Sequence, residues 1–172
     1  MIQLRCTGKA QKQLGLKPSE LSEIKKPDST LGNWYVNITT IDRRKTFVFM
    51  NESTLLSFIL YGVRKSNSFR IHEIFLKALN QLLLLEGFDY KIINKVNDEY
   101  LDLEYTKTHS PSLLGNMNDL IENYKHHIYS DGGLKYCDLT AIIHNVNRMP
   151  QRNIGWEFSI NVARELLTNQ NN

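Results

Sequence analysis

Three consecutive basic residues, Arg43, Arg44 and Lys45, stand between two runs rich in β-branched and aromatic residues, 34–41 and 46–50. These runs predict a β-hairpin that carries the basic residues at its turn. Such a turn presents cations to phosphates, and neighbouring aromatic side chains can stack on bases. The residues that would extend this surface are Trp34, Tyr35, Phe47, Arg64, Lys65 and Arg70. A solvated basic turn above ordinary core aromatics would give the same pattern, so both interpretations stand.

Polar residues also fill segment 106–119, where a predicted strand meets a predicted helix. Free backbone N–H groups at a helix N-terminus favour anions, and Gly115 would allow close approach of a ligand. The candidate site residues in this segment are His109, Ser112, Asn116, Asn118 and Asp119. The same side chains could instead cap the helix or form hydrogen bonds to the sheet.

His126 lies four residues after Glu122, which is the spacing of neighbours on one face of a helix. The pair could supply two metal ligands, or a base and its orienting carboxylate. A surface ion pair of small energetic weight is the simpler interpretation, so we predict no metal. The sequence has no G-x-S-x-G, Walker A or G-x-G-x-x-G motif, and we predict no cofactor.

The elements that position these residues follow from hydrophobic periodicity. Alternating runs predict strands at 1–7, 34–41, 46–50 and 101–106. Apolar residues at three- and four-residue steps predict helices at 8–16, 54–61, 71–85, 90–100, 111–130, 139–146 and 160–167. Ser53, Ser68 and Ser159 are the predicted N-caps of the second, third and last of these. Since a long βαβ alternation is missing, we predict an α+β fold, a small and mainly antiparallel sheet packed against several helices.

Length and composition limit the possible classes of protein. The 172 residues, 41% of them apolar, suffice for a full core, and we predict a single domain over residues 1–172. The N-terminus has no apolar region of signal-peptide length, and the apolar stretch 78–85 is too short to span a bilayer. Cys6 and Cys137 lie far apart and form no Cys-x-x-Cys motif, and we expect two reduced thiols, as in a cytosolic protein. We therefore expect a cytoplasmic protein that contacts no membrane.

Charge is spread unevenly along the chain. Residues 1–50 carry nine Lys and Arg against four Asp and Glu, whereas residues 101–172 carry six against eight. A basic N-terminal third favours a polyanionic partner, although the imbalance is modest.

Residues 112–119 follow the pattern S-x-L-G-x-M-N-D. With the segments 1–7, 34–45, 51–52, 132–139 and 147–150, this run resembles a family of uncharacterised bacterial proteins known only as a domain of unknown function. The resemblance spans nearly the whole chain, and relatives of this kind resemble proteins of accessory or mobile genomes. It implies no activity, substrate or cofactor.

Three functions remain open at this point. The first is a binding module that contacts nucleic acid or a partner protein through the basic hairpin. The second is a hydrolase or nuclease-like enzyme with its site at the junction 106–119. In it, Arg43 or Arg44 would share one cleft with His109, Asn118, Asp119 and, as a further candidate, His126. The third is a purely structural or oligomeric protein with an exposed apolar patch. Convergence of the named side chains would distinguish the second function from the first.

Overall fold

A five-stranded sheet lies at the centre of the computed structural model, which describes residues 1–63 and 70–169. Its strands are β1 (Ile2–Cys6), β2 (Trp34–Ile41), β3 (Arg44–Asn51), β4 (Ser57–Tyr61) and β5 (Leu103–Lys107), in the spatial order β4-β3-β2-β1-β5. A separate two-stranded ribbon consists of β6 (Pro150–Gln151) and β7 (Glu157–Phe158).

Pairing in the main sheet is antiparallel on one side of β2 and parallel on the other. β3 pairs antiparallel with both β2 and β4, and the β2–β3 ladder runs unbroken from Trp34↔Asn51 to Ile41↔Arg44. β1 pairs parallel with β2 and β5. Antiparallel strands can be joined by a tight turn, whereas parallel neighbours need a long connection, here residues 7–33 between β1 and β2.

Helices cover both faces of the sheet. They are α1 (Gly8–Leu14), α2 (Ile71–Leu85), α3 (Tyr90–Glu99), α4 (Pro111–Ser130), α5 (Leu139–Val146) and α6 (Ser159–Thr168). Side chains alternate across each strand, so one sheet face buries Leu4, Val36 and Phe49 against α1, α2, α3 and α6. The other face buries Val48 and Met50 against α4 and α5.

Local sequence fixes the ends of α4, the longest helix. The hydroxyl of Ser110 accepts a 3.3 Å hydrogen bond from the N–H of Leu113, and Pro111 occupies the first turn, where its missing N–H has no cost. The helix ends where Gly132 and Gly133 adopt positive φ. This helix is central to the site geometry because different candidate residues lie at its two ends.

The predicted α+β class is confirmed. The predicted helix over residues 54–61 is wrong, because Ser57–Tyr61 forms the edge strand β4. The side chain of Asn51 accepts from the N–H groups of Ser53 and Thr54 and so turns the chain before the strand begins. The side chain of Asn147 then bonds both the N–H and the C=O of Ser57, at 2.8 and 2.7 Å, in place of a further strand.

Two predicted N-caps have different outcomes. The prediction for Ser159 is wrong, because this residue is the first of α6, and the cap is Phe158, which offers no side-chain bond. The Ser159 hydroxyl is buried without a hydrogen-bond partner in the described part of the chain. Ser68, like Arg64 and Lys65, lies outside the described residues. No helix in the described ranges is both long and apolar enough to cross a membrane.

Candidate functional site

The turn between β2 and β3 contains only two residues, Asp42 and Arg43. Both adopt the left-handed conformation, with φ of 46° and 62°, and Ile41 pairs with Arg44 across the turn. Two central residues of positive φ define the mirror-image turn that matches the right-handed twist of a hairpin. Arg44 and Lys45, which the sequence placed in the loop, are therefore the first residues of β3.

Asp42 ties this turn to the loop that follows α4. Its Oδ2 accepts a 2.6 Å hydrogen bond from the N–H of Leu134, and its own N–H donates to the hydroxyl of Tyr129 over 3.3 Å. Gly133 lies against the same carboxylate, and a Cβ at this position would stand 2.5 Å from Oδ2. The close approach requires glycine at 133, so the hairpin is held at the C-terminal end of α4.

We call the resulting exposed region the tip surface. It comprises Arg43, Arg44, Lys45, Tyr61, Tyr129, Lys135 and Tyr136. Arg44 lies over the ring of Tyr61 at 5.6 Å, and Lys135 lies over the ring of Tyr136 at 5.2 Å. Within residues 1–63 and 70–169, none of the four cations forms an ion pair with a carboxylate. The tip surface thus combines cations unneutralised by direct pairing with exposed aromatic rings.

Carboxylates lie along one edge of the tip surface, next to Cys137. Desolvation raises the pKa of this thiol, and the charges of Asp131, Asp138 and Asp42 raise it further. The electrostatic character of the region therefore changes over a few residues, from the cations of the hairpin to these acids.

His109 belongs to a partly buried polar cluster at the opposite end of α4. Its Nδ1 lies 3.1 Å from the hydroxyl of Tyr35, and its Nε2 lies 3.6 Å from Oε1 of Glu52. The other Glu52 oxygen accepts a 2.8 Å hydrogen bond from Nε of Arg5, whose side chain is only 2% exposed. The Tyr35 hydroxyl also accepts a 3.1 Å hydrogen bond from the N–H of Ser110.

Both ring nitrogens of His109 therefore face protein groups. A general base needs one nitrogen within hydrogen-bond reach of a substrate proton. In this conformation the histidine instead links the start of α4 to the buried Arg5–Glu52 pair. The cluster is suited to holding the strand-to-helix junction in place. No local pattern predicts it, because Arg5 and Glu52 are 47 positions apart.

The other candidates in segment 106–119 divide between two sides of α4. Asn116 and Asp119 line a polar cavity that also includes Glu122, Arg152 and Trp156. Ser112 lies beside this cavity and accepts a 3.0 Å hydrogen bond from Asn153. Asn118 is exposed and does not line the cavity.

His126 does not use its neighbour Glu122. The Glu122 carboxylate pairs with Lys125 at 3.1 Å, and the exposed ring of His126 packs edge-on against His127 at 5.7 Å between centroids. Across the described ranges, no group of three or more His, Cys, Asp or Glu side chains could hold a metal ion.

The basic hairpin and His109 lie at opposite ends of α4. The turn contacts Tyr129, whereas His109 precedes the first residue of the helix. With a rise of about 1.5 Å per residue, the nineteen positions from Ser110 to Tyr129 correspond to about 28 Å. The structure thus does not bring Arg43, Arg44, His109 and Asp119 into one cleft, which the enzyme hypothesis required.

A family model described as a domain of unknown function, DUF6933, matches residues 3–162. The chain belongs to the DUF6933 family. The resemblance predicted from the sequence is thereby confirmed, and it covers both ends of α4. No curated protein matches this DUF6933 chain. The family description carries no activity, so the function must be argued from the sites themselves.

The three cations of the hairpin were predicted, but the aromatic residues expected beside them, Trp34, Tyr35 and Phe47, are buried in the core. The exposed tyrosine that contacts the turn is Tyr129, and Lys135 and Tyr136 follow Leu134, which bonds Asp42 across 92 positions. The pair Gly132-Gly133 was the one available signal, since consecutive glycines often mark a close backbone approach. Trp156 and Arg152 of the polar cavity carried no signal in the sequence.

Proposed function

We propose that this DUF6933 chain is a nucleic-acid-binding module whose contact surface is the tip surface. The observation that supports the proposal best is the docking of the turn through Asp42. Because its carboxylate faces inward to Leu134, the turn exposes Arg43 while Arg44 and Lys45 extend from the first positions of β3.

Rigidity of the turn strengthens this argument. Two-residue turns of this type are short, and here the N–H and the carboxylate of Asp42 both bond the α4 end of the molecule. A preorganised set of cations loses less conformational entropy on binding than the same side chains on a free loop. Phosphate contacts made from such a turn would fix the position of a strand without reading its sequence.

The exposed tyrosines favour a single strand over a duplex. Tyr129 and Tyr136 are 51% and 72% exposed, and Tyr136 follows Lys135 directly. Aromatic rings beside cations bind unpaired bases by stacking while the cations hold the phosphates. In a duplex the bases are already stacked and unavailable to these rings.

The test is fluorescence polarisation of labelled single-stranded and duplex DNA and RNA, longer than about 16 nucleotides, between about 50 and 150 mM salt. If each of the four cations contacts one phosphate of a single strand, a plot of log K against log salt should have a slope of about −3, at about −0.7 per contact. The double variant Arg43→Ala, Arg44→Ala should reduce the magnitude of the slope by about 1.4. The matched control is Lys9→Ala, Lys91→Ala, which removes two exposed cations from α1 and α3 on the other sheet face.

Equal loss of affinity in both double variants would show that net charge alone drives binding, and would overturn the assignment to the tip surface. No binding at low salt would overturn nucleic acid as the ligand and would redirect the search to an acidic partner protein. The strands are also checked for cleavage after the titration. Cleavage that both variants retain would overturn the binding-module proposal and would place a nuclease centre away from the tip surface.

A further inference from the structure

A second site lies between α4 and the β6–β7 ribbon. This cavity is open to solvent on one side, has a volume of about 410 Å³ and is the polar cavity to which Asn116 and Asp119 contribute. Its volume lies within the range of small-molecule sites, which is about 300–1,000 Å³. The tip surface shares no residue with it, so an inference about this cavity is independent of the proposed function.

The side chain of Asn153, in the connection between β6 and β7, bonds helix α4. Nδ2 of Asn153 donates to Oγ of Ser112 and to Oδ1 of Asn116, each over 3.0 Å. Nδ2 of Asn116 is buried and has no hydrogen-bond partner within residues 1–63 and 70–169. The wall of the cavity is thus built by specific bonds and retains a donor that the described protein groups do not use.

Trp156 lines the cavity with an exposed side chain and a rare backbone conformation. Its side chain is 66% exposed, and its φ is 64°, a left-handed conformation that a bulky residue rarely adopts. Exposure of a large aromatic ring and backbone strain both cost free energy. Strain of this kind persists where the surrounding structure enforces it and clusters at ligand sites.

The charged residues that line the cavity are Asp119, Glu122 and Arg152, and Glu122 also pairs with Lys125 at 3.1 Å. A polyanion would meet two carboxylates here, and a compact cation would meet the guanidinium of Arg152. The remaining polar groups are amides. Those of Asn123 and Gln151 can both donate and accept, whereas the Asn116 oxygen already accepts from Asn153.

We infer that this cavity binds a neutral sugar ring. One face of a sugar ring is apolar and packs on an indole, while its hydroxyls each donate and accept hydrogen bonds. Trp156 supplies the indole, the amides and Asp119 accept from hydroxyls, and Arg152 donates to them. A lipid or another apolar ligand would leave these polar groups unpaired, which is costly.

The probes are maltohexaose, cellohexaose and chitotetraose, added at up to about 20 mM so that a millimolar Kd is reached. Binding is followed by the NMR shifts of the Trp156 indole N–H and of the side-chain amides of Asn116 and Asn123. Selective shifts of these signals with one or more probes are the expected result. Trp34 serves as an internal reference, since its ring is fully buried and its N–H donates to Tyr100 at 2.9 Å.

Trp156→Gly separates binding from folding. Glycine accepts positive φ without strain, so this variant should keep or raise the melting temperature. Its affinity for sugar, measured from the amide shifts, should fall at least about tenfold. Tyr90→Ala is the matched control, because it removes another exposed aromatic side chain, 69% exposed on α3, and should leave sugar binding unchanged.

Lack of shifts with all three probes would overturn the inference. The same holds if adenosine or uridine shifts the Trp156 signal and no sugar does, since the cavity would then take a base. Retained sugar binding in Trp156→Gly would also overturn the role of the indole. Each of these results is independent of whether the tip surface binds a strand.

Discussion

The carboxylate of Asp42 accepts a 2.6 Å hydrogen bond from the backbone N–H of Leu134, across 92 positions of sequence. This contact joins the turn of the β2–β3 hairpin to the loop after α4. It also determines which residues surround the basic turn, because Lys135 and Tyr136 follow Leu134 directly. The tip surface is therefore a product of tertiary structure and not of the hairpin alone.

Gly133→Ala should break this contact. A Cβ at 133 would lie 2.5 Å from Oδ2 of Asp42, whereas a Cβ at Gly132 would have no neighbour closer than 3.6 Å. Both glycines have positive φ, 95° and 90°, so alanine carries a similar backbone penalty of about 1 kcal/mol at each position. We expect Gly133→Ala to lower the free energy of unfolding by about 1–3 kcal/mol more than Gly132→Ala.

Urea denaturation of the two glycine variants measures this difference. If strand binding depends on the docked turn, Gly133→Ala should also weaken it although no cation is removed. Equal stability and equal binding in both variants would show that the approach of Asp42 to Gly133 is unimportant.

Arg43→Gly should change stability and binding in opposite directions. Arg43 has φ of 62°, which disfavours any residue with a Cβ, and Asp-Gly is among the preferred pairs for this turn. The free energy of unfolding of the variant should be about 1 kcal/mol higher than that of the parent chain. Strand affinity should fall and the salt slope should lose about 0.7, because one phosphate contact disappears.

Thermal denaturation and polarisation together check the Arg43 prediction. Lys9→Ala, at an exposed position of α1, provides the control for a single lost charge. A loss of stability in Arg43→Gly would mean that the arginine makes a contact worth more than the strain it carries.

The hairpin, the helices and the α+β class could be predicted because each depends on local periodicity. The stripe of Met117, Leu120, Ile121, Tyr124 and Ile128 is buried as the helical spacing requires. Strand β4 could not be predicted this way, because its open edge is completed by the side chain of Asn147, ninety positions away. Local pattern does not contain that partner.

The residues of the candidate site likewise fall into those that local sequence could group and those that only tertiary packing could. The cations Arg43, Arg44 and Lys45 are consecutive in the sequence, so their clustering follows from the chain itself. His109 and Asp119 are close in sequence too, but α4 begins between them, and their side chains enter different surroundings. Identity and spacing predicted which residues are polar, whereas the packing of α4 decided which of them meet.

Glu52→Gln should destabilise the protein more than removal of an exposed charge. The Arg5 side chain is 2% exposed, and Glu52, at 2.8 Å, is the carboxylate that pairs with it. Loss of the negative charge leaves a buried cation uncompensated, which costs about 3 kcal/mol. Glu73→Gln is the control, since its pair with Arg70 is exposed on both sides and should contribute less than about 1 kcal/mol.

Denaturant titration compares Glu52→Gln and Glu73→Gln with the single variant Arg5→Met and the double variant Arg5→Met, Glu52→Gln. Because the two residues act as a pair, the double change should cost less than the sum of the single changes. Additive losses would show that Arg5 and Glu52 contribute independently, and that the His109 cluster does not behave as a unit.

The two cysteines should differ in reactivity toward a thiol reagent such as Ellman's reagent. Burial raises the pKa of Cys6 to about 12, and its side chain is fully inaccessible. Cys137 is partly exposed, but desolvation and the neighbouring carboxylates raise its pKa as well. Since the thiolate is the reacting form, we expect one slowly reacting thiol in the folded protein and two after denaturation.

The sign of the electrostatic effect can be tested at Asp131. The charge of Asp131 disfavours the Cys137 thiolate, so Asp131→Asn should lower the pKa of the thiol and speed its reaction near pH 8. Cys137→Ser should abolish the reaction in the folded state. Because Cys137 lies three positions after Leu134, a bound strand should also slow its labelling if the tip surface is the contact region. Labelling that is unaffected by saturating strand would place the strand elsewhere on the molecule.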